Sequence, residues 1–164
     1  MVVRLAAERG RRLDRAFSEV AGRLDPRDRA FAHELAYGVT RLRGRIDHLL
    51  SPHLRRGVEG TDAEALELVR VGAYQLLYMG GVPAYAAVSE TVDLARDRIG
   101  SRPAGFVNAV LRRVQEAGAG PELFPDPTDD PLAFLSTWGS HPEWMVARWL
   151  ERWGFAVTRT LIEH

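Results

Sequence analysis

No cysteine and no lysine occur in this 164-residue chain. Without cysteine it can make no disulfide, no thiolate metal site and no cysteine nucleophile of its own. Without lysine, all 22 basic residues are arginine, and a guanidinium presents a planar fork that grips phosphate with two bonds at once. No apolar run reaches the ~18 residues that a membrane span needs, and no signal-peptide pattern opens the chain. A cytoplasmic protein with no membrane contact is therefore expected. The glycine-rich signatures of dinucleotide and P-loop sites are missing, and no nucleophile elbow frames a serine. His48 and His53 lie five residues apart, but Pro52 separates them, so no shared metal face is expected. Strand alternation and hairpin turns are absent as well. These absences argue against catalysis, a bound cofactor or a metal centre within this chain.

A hydrophobic content of 46% and a charged content of 27% belong to an ordinary globular protein. The net charge of zero hides an asymmetry. Residues 1–45 hold 11 arginines against 6 carboxylates, whereas residues 46–164 hold 11 against 16. A basic first quarter on a neutral chain points to one localised face for a polyanion, not to general stickiness. Residues 26–45, PRDRAFAHELAYGVTRLRGR, concentrate that character. Phe31, Leu35, Val39 and Leu42 fall at helical spacing and predict a core-facing stripe. Arg27, Glu34 and Arg41 recur every seven residues along one flank. A core helix with an arginine edge is the first pointer to RNA.

The remaining periodicity predicts helix throughout. A short amphipathic helix spans 11–23. Asp25-Pro26 supplies an N-cap and a first-turn proline for the basic helix, which runs to Leu42 and is interrupted by Gly44. A short helix follows over 45–50, stopped by Ser51-Pro52. The helix over 62–79 is apolar almost all round and belongs at the centre of a bundle. Arg70 falls on its apolar side and needs a carboxylate or carbonyl partner. Helices over 84–99 and 103–117 complete the set. The first gathers Glu90, Asp93 and Asp97 on a solvated face that repels phosphate. Near residue 118 prolines and glycines predict a linker. All four tryptophans then lie between 138 and 153, and such a cluster calls for an apolar partner. Leu161-Ile162-Glu163-His164 provides no helix stop, so an artificial or domain-boundary end is expected there.

Three segments carry a family resemblance. PRDRAFAHELAYGVTRLRGRIDHLL, LVRVGAYQLLYMGGVPAYAAVSETVDLAR and GFVNAVLRRV occur in this order within residues 11–117. They resemble the N-terminal NusB-like domain of the RsmB (Sun or Fmu) family of ribosomal RNA cytosine-5 methyltransferases. WGSHPEWMVARWLERWG is similar to the stretch that joins that domain to the catalytic part. The resemblance implies an all-α, NusB-like helical bundle over 1–118, a Pro/Gly-rich linker over 119–140, and the start of the methyltransferase N-terminal subdomain over 141–164. It also implies RNA contact by the bundle, and a parent protein that uses S-adenosylmethionine and a cysteine nucleophile. Neither the cysteine nor the cofactor motif is present, so no catalytic or cofactor-binding role falls on any residue here. The expected partners are ribosomal RNA and the protein's own catalytic domain, the latter reached through the tryptophan-rich segment 138–153. Candidate phosphate contacts are Arg9, Arg11, Arg12 and Arg15 near the start, Arg27, Arg29, Arg41, Arg43 and Arg45 around the main helix, and Arg112 and Arg113 on the last bundle helix. Two other classes fit the same residues: a free-standing NusB-type antitermination factor, and a protein-docking domain that touches no RNA.

Overall fold

The computed structural model describes residues 12–163, and among them all regular structure is helical. The α-helices are α1 (Leu13–Ala21), α2 (Pro26–Arg41), α3 (Arg43–Leu50), α4 (Ala63–Tyr78), α5 (Ala84–Ile99), α6 (Ser101–Ala117), α7 (Pro131–Gly139) and α8 (Glu143–Glu163), the last made of two helical segments that meet at a kink at Gly154 (φ 71°, ψ 176°). Short 3-10 turns cover Ser51–His53 and Pro121–Leu123. The all-α bundle expected from the sequence is what the chain forms.

Local chemistry sets the starts of these helices. The Asp25 carboxylate accepts from the Arg27 and Asp28 amides at 2.9 Å, with Pro26 in the first turn of α2. Asp62 does the same for α4, accepting from the Glu64 and Ala65 amides at 3.1 and 3.0 Å. Each cap satisfies amides that have no partner inside the helix. Gly100 alone joins α5 to α6, and its φ of 97° is a conformation that a side chain resists.

The main core lies between α2, α3, α4, α5 and α6. Val39, Ile46, Leu50, Val69, Ala73, Val107 and Leu111 are fully or almost fully buried in it. α4 runs through its middle, as its all-round apolar surface requires, and packs on α2, α3, α5 and α6. Gly72 lets α4 approach α6 closely: a Cβ there would lie 2.6 Å from Leu111 Cδ1. We expect Gly72→Ala to destabilise the fold by roughly 1–3 kcal/mol through overpacking, read as a lower urea midpoint at unchanged slope.

Three expectations need correction. Phe31 is 43% exposed and lies outside the core, whereas Leu35, Val39 and Leu42 pack into it. The stripe fades toward the start of α2 because the core does not reach that end. The break after α2 falls at Leu42 (φ −98°, ψ 18°), and Gly44 sits inside α3. The proposed linker over 119–140 contains helix α7. Pro131 occupies a first-turn position, where proline starts a helix rather than breaking one, and Asp130 caps it through the Ala133 amide at 2.9 Å. The proline-rich spacing hid apolar anchors. Phe124, Phe134 and Leu135 join Leu49 and Val146 in a second core, with Trp138 and Leu150 packed against it. α3 serves both cores, giving Ile46 and Leu50 to the first and Leu49 to the second.

Candidate nucleic-acid interface

α2 carries the clearest basic surface. Arg27, Arg29 and Arg41 are exposed, and none meets a carboxylate among the described residues. About 1.5 Å of rise per residue places Arg27 and Arg41 at opposite ends of this helix. α1 packs against α2 and brings Arg12 and Arg15 to the same part of the molecule. Arg12 pairs with its neighbour Asp14 at 3.3 Å, with both side chains largely solvated, so that pair opposes phosphate binding only weakly. Arg9 and Arg11 lie outside the described residues. Arg112 and Arg113 are exposed on α6, where Arg112 Nε donates to Asn108 Oδ1 at 3.3 Å.

Two candidates are engaged elsewhere. Arg43 Nη2 lies 3.2 Å from Glu67 Oε1, with part of its surface still open. Arg45 is the correction among the candidate contacts. Its Nε donates to the Trp138 carbonyl at 2.5 Å, and its guanidinium sits 4.0 Å from the centre of the Trp138 ring. Burial draws its pKa below the ordinary arginine value, and the charge of Arg41 nearby adds to that effect. These contacts occupy its Nε and one face of the guanidinium. No local signal in the sequence identified its partner, which lies 93 residues downstream.

Beneath the arginine flank, Glu34 has a structural role. The Tyr74 hydroxyl donates to Glu34 Oε1 at 2.5 Å, and the ring lies against Gly38, where a Cβ would overlap it. Burial first, and the Glu34 carboxylate second, push the Tyr74 hydroxyl up to about 12. A tyrosine whose pKa is raised on folding stabilises the fold fully below its unfolded pKa of about 10 and loses that contribution as pH rises toward 12. Tyr74→Phe should therefore flatten the alkaline limb of the stability–pH curve. An unchanged slope above pH 10 would refute the assignment.

Arg70 has the carboxylate partner that its position requires. It is 3% exposed. Its Nε and Nη2 donate to Asp47 Oδ1 and Oδ2 at 2.7 and 2.8 Å, and its Nη1 donates to Glu67 Oε1 at 2.6 Å. Burial opposes the Arg70 charge, but the bonds and fields of Asp47 and Glu67 outweigh it and raise the pKa above the ordinary value. Asp47 lies on α3 and Arg70 on α4, so the cluster fixes the junction beneath Arg41 and Arg43.

The tryptophans divide into two groups. Trp138 stacks on Phe134 and meets Phe124 edge-on inside the second core, and Trp149 packs edge-on against His141. Trp144 and Trp153 are 63% and 43% exposed, and Val157 and Leu161, beyond the Gly154 kink, are exposed too. Trp144, Arg148, Trp149 and Trp153 line a shallow cavity of about 660 Å³. Among the described residues no cluster of His, Asp and Glu could hold a metal ion, and no helix is long and apolar enough to cross a membrane.

Comparison with known proteins bears on this surface. A protein from Mycobacterium tuberculosis named as a putative methyltransferase is 40% identical over 134 residues, which is 80% of this chain and 29% of that protein. The ribosomal RNA small subunit methyltransferase B of Pseudomonas putida is 36% identical over 135 residues, again 80% of this chain and 29% of its own length. The probable counterpart in Bacillus subtilis is 34% identical over 132 residues, with the same coverage. This chain thus spans less than a third of the length of these relatives. The NusB family model matches residues 2–116, the helical bundle with its arginine flank. The chain belongs to the NusB family.

Proposed function

We propose that this chain is the RNA-binding, substrate-positioning part of an S-adenosylmethionine-dependent methyltransferase that modifies cytosine C5 in small-subunit ribosomal RNA, working in the cytoplasm. The observation that carries this reading is the set of exposed arginines on α2, Arg27, Arg29 and Arg41, none of which meets a carboxylate among the described residues, within a NusB-family bundle whose relatives are named as methyltransferases of that RNA. Arginines on a helix flank contact phosphates and fix register, while sequence is read elsewhere. Arg12, Arg15, Arg43, Arg112 and Arg113 extend the proposed surface, together with Arg9 and Arg11. Arg45 is not part of it. The cofactor and the cysteine chemistry belong to a catalytic domain. We assign that domain's docking surface to the exposed face of α8 around Trp144 and Trp153, because exposed indoles of this size call for an apolar partner.

The test is equilibrium binding of the full-length protein to small-subunit ribosomal RNA over a range of salt. Each phosphate contact contributes roughly 0.7–0.9 to the slope of log affinity against log salt. Arg27→Gln, Arg29→Gln and Arg41→Gln combined should flatten that slope by about 2–3 and weaken all RNA sequences alike. An unchanged slope would favour the docking domain that touches no RNA. A change confined to one sequence would overturn positioning in favour of base readout.

A further inference from the structure

The second core meets α3 through Leu49, His48 and Arg45, and Arg45 makes the polar contacts nearest the arginine face of α2. α3 begins at Leu42, which provides no side-chain cap. The missing acceptor comes from 95 residues downstream: the Arg45 amide donates to Ser140 Oγ at 2.8 Å. Ser140 holds a left-handed conformation (φ 56°, ψ 35°) just after α7, and it is the one non-glycine residue with positive φ among the described residues. Gly44 allows the approach, since a Cβ there would lie 3.2 Å from Ser140 Cα. The Arg45 side chain adds the bond to the Trp138 carbonyl and the stacking on its ring. One turn on, His48 stacks on Phe124, and its Nε2 is 2.9 Å from the Leu123 carbonyl. Arg41, exposed and with no carboxylate partner among the described residues, stands four residues before Arg45.

From this geometry we infer that Arg45 is a positioning residue. It couples the arginine face of α2 to α7 and α8, and so sets the register between RNA held on that face and the domain that docks on α8. The inference rests on the RNA-positioning reading given above. Arg45 carries it because a single residue supplies a main-chain donor, a side-chain donor and a cation over an indole to the same turn. Lysine retains the charge but lacks the fork needed for the carbonyl bond and the stacking together.

The experiment uses the full-length protein with Arg45→Ala and Arg45→Lys, and follows three quantities. RNA affinity should stay within twofold of the parent in both variants. At saturating RNA, kcat for methyl transfer should fall at least tenfold in Arg45→Ala, and by less in Arg45→Lys. Amide exchange should rise across residues 131–150 of Arg45→Ala and stay unchanged across 63–117, which keeps a global folding defect distinguishable. Affinity that falls in step with that of the Arg41→Gln variant would make Arg45 an RNA contact and overturn the inference. Unchanged kcat would also overturn it, as would unchanged exchange. If the parent protein neither binds RNA nor transfers methyl groups, the functional reading fails, and the exchange data alone then decide whether Arg45 couples the two parts.

Discussion

Arg70→Ala should cost the fold about 3–5 kcal/mol, the range for removing one partner of a buried ion pair. Arg70 is almost wholly enclosed and answers two carboxylates. Without it, Asp47 and Glu67 face each other with no cation between them except the half-open Arg43. Glu67 Oε2 is already buried without a hydrogen-bond partner, so that carboxylate depends heavily on its other oxygen. For a domain of this size the loss corresponds to a melting temperature lower by roughly 6–20 °C. Asp47→Ala should also destabilise, and the double variant should cost well under the sum of the two, because the second substitution removes a charge that the first left stranded. Additive costs would show that the cluster is three separate surface interactions rather than one buried unit.

Leu135→Ala should have an effect of similar size but a different form. Leu135 is fully buried at the centre of the second core, and deleting such a side chain costs roughly 2–5 kcal/mol, depending on how far the cavity collapses. The second core is small and meets the first only through α3 and Leu77 of α4. The loss should therefore fall on α7 and α8 and leave the main bundle folded, giving melting in two steps, with tryptophan fluorescence changing first because all four indoles lie beyond residue 137. A single cooperative transition at lower temperature would show that the two cores fold as one unit.

Much of this architecture was legible in the residues, and the failures share a cause. Asp25 was readable as a cap because capping is decided within three residues. Arg70 declared its need for a partner because a charge on an apolar helix face admits few solutions, although nothing in the sequence named Asp47 and Glu67. The arginine flank of α2 was readable as an edge, but Glu34 within it was not readable as the acceptor for Tyr74, 40 residues away. Arg45 looked like its neighbours because its partners, Trp138 and Ser140, lie more than 90 residues downstream. Phe31 follows the helical period, yet period gives the direction of a face and not the extent of the core behind it. The stretch over 119–140 reads as a linker because prolines mark both linkers and helix starts, and the difference here lies in Asp130, which precedes Pro131 and caps α7.

The distant cap on α3 also orders events in time. An isolated eight-residue helix is too short to hold itself in water, and the acceptor for its Arg45 amide is made 95 residues later. While the chain is being synthesised, α4, α5 and α6 are complete before Ser140 exists. The contacts of Arg45 with Trp138 and Ser140 are therefore the last that α3 can make, after the helices between have been synthesised. Until then α3 is held by the first core alone, through Ile46 and Leu50.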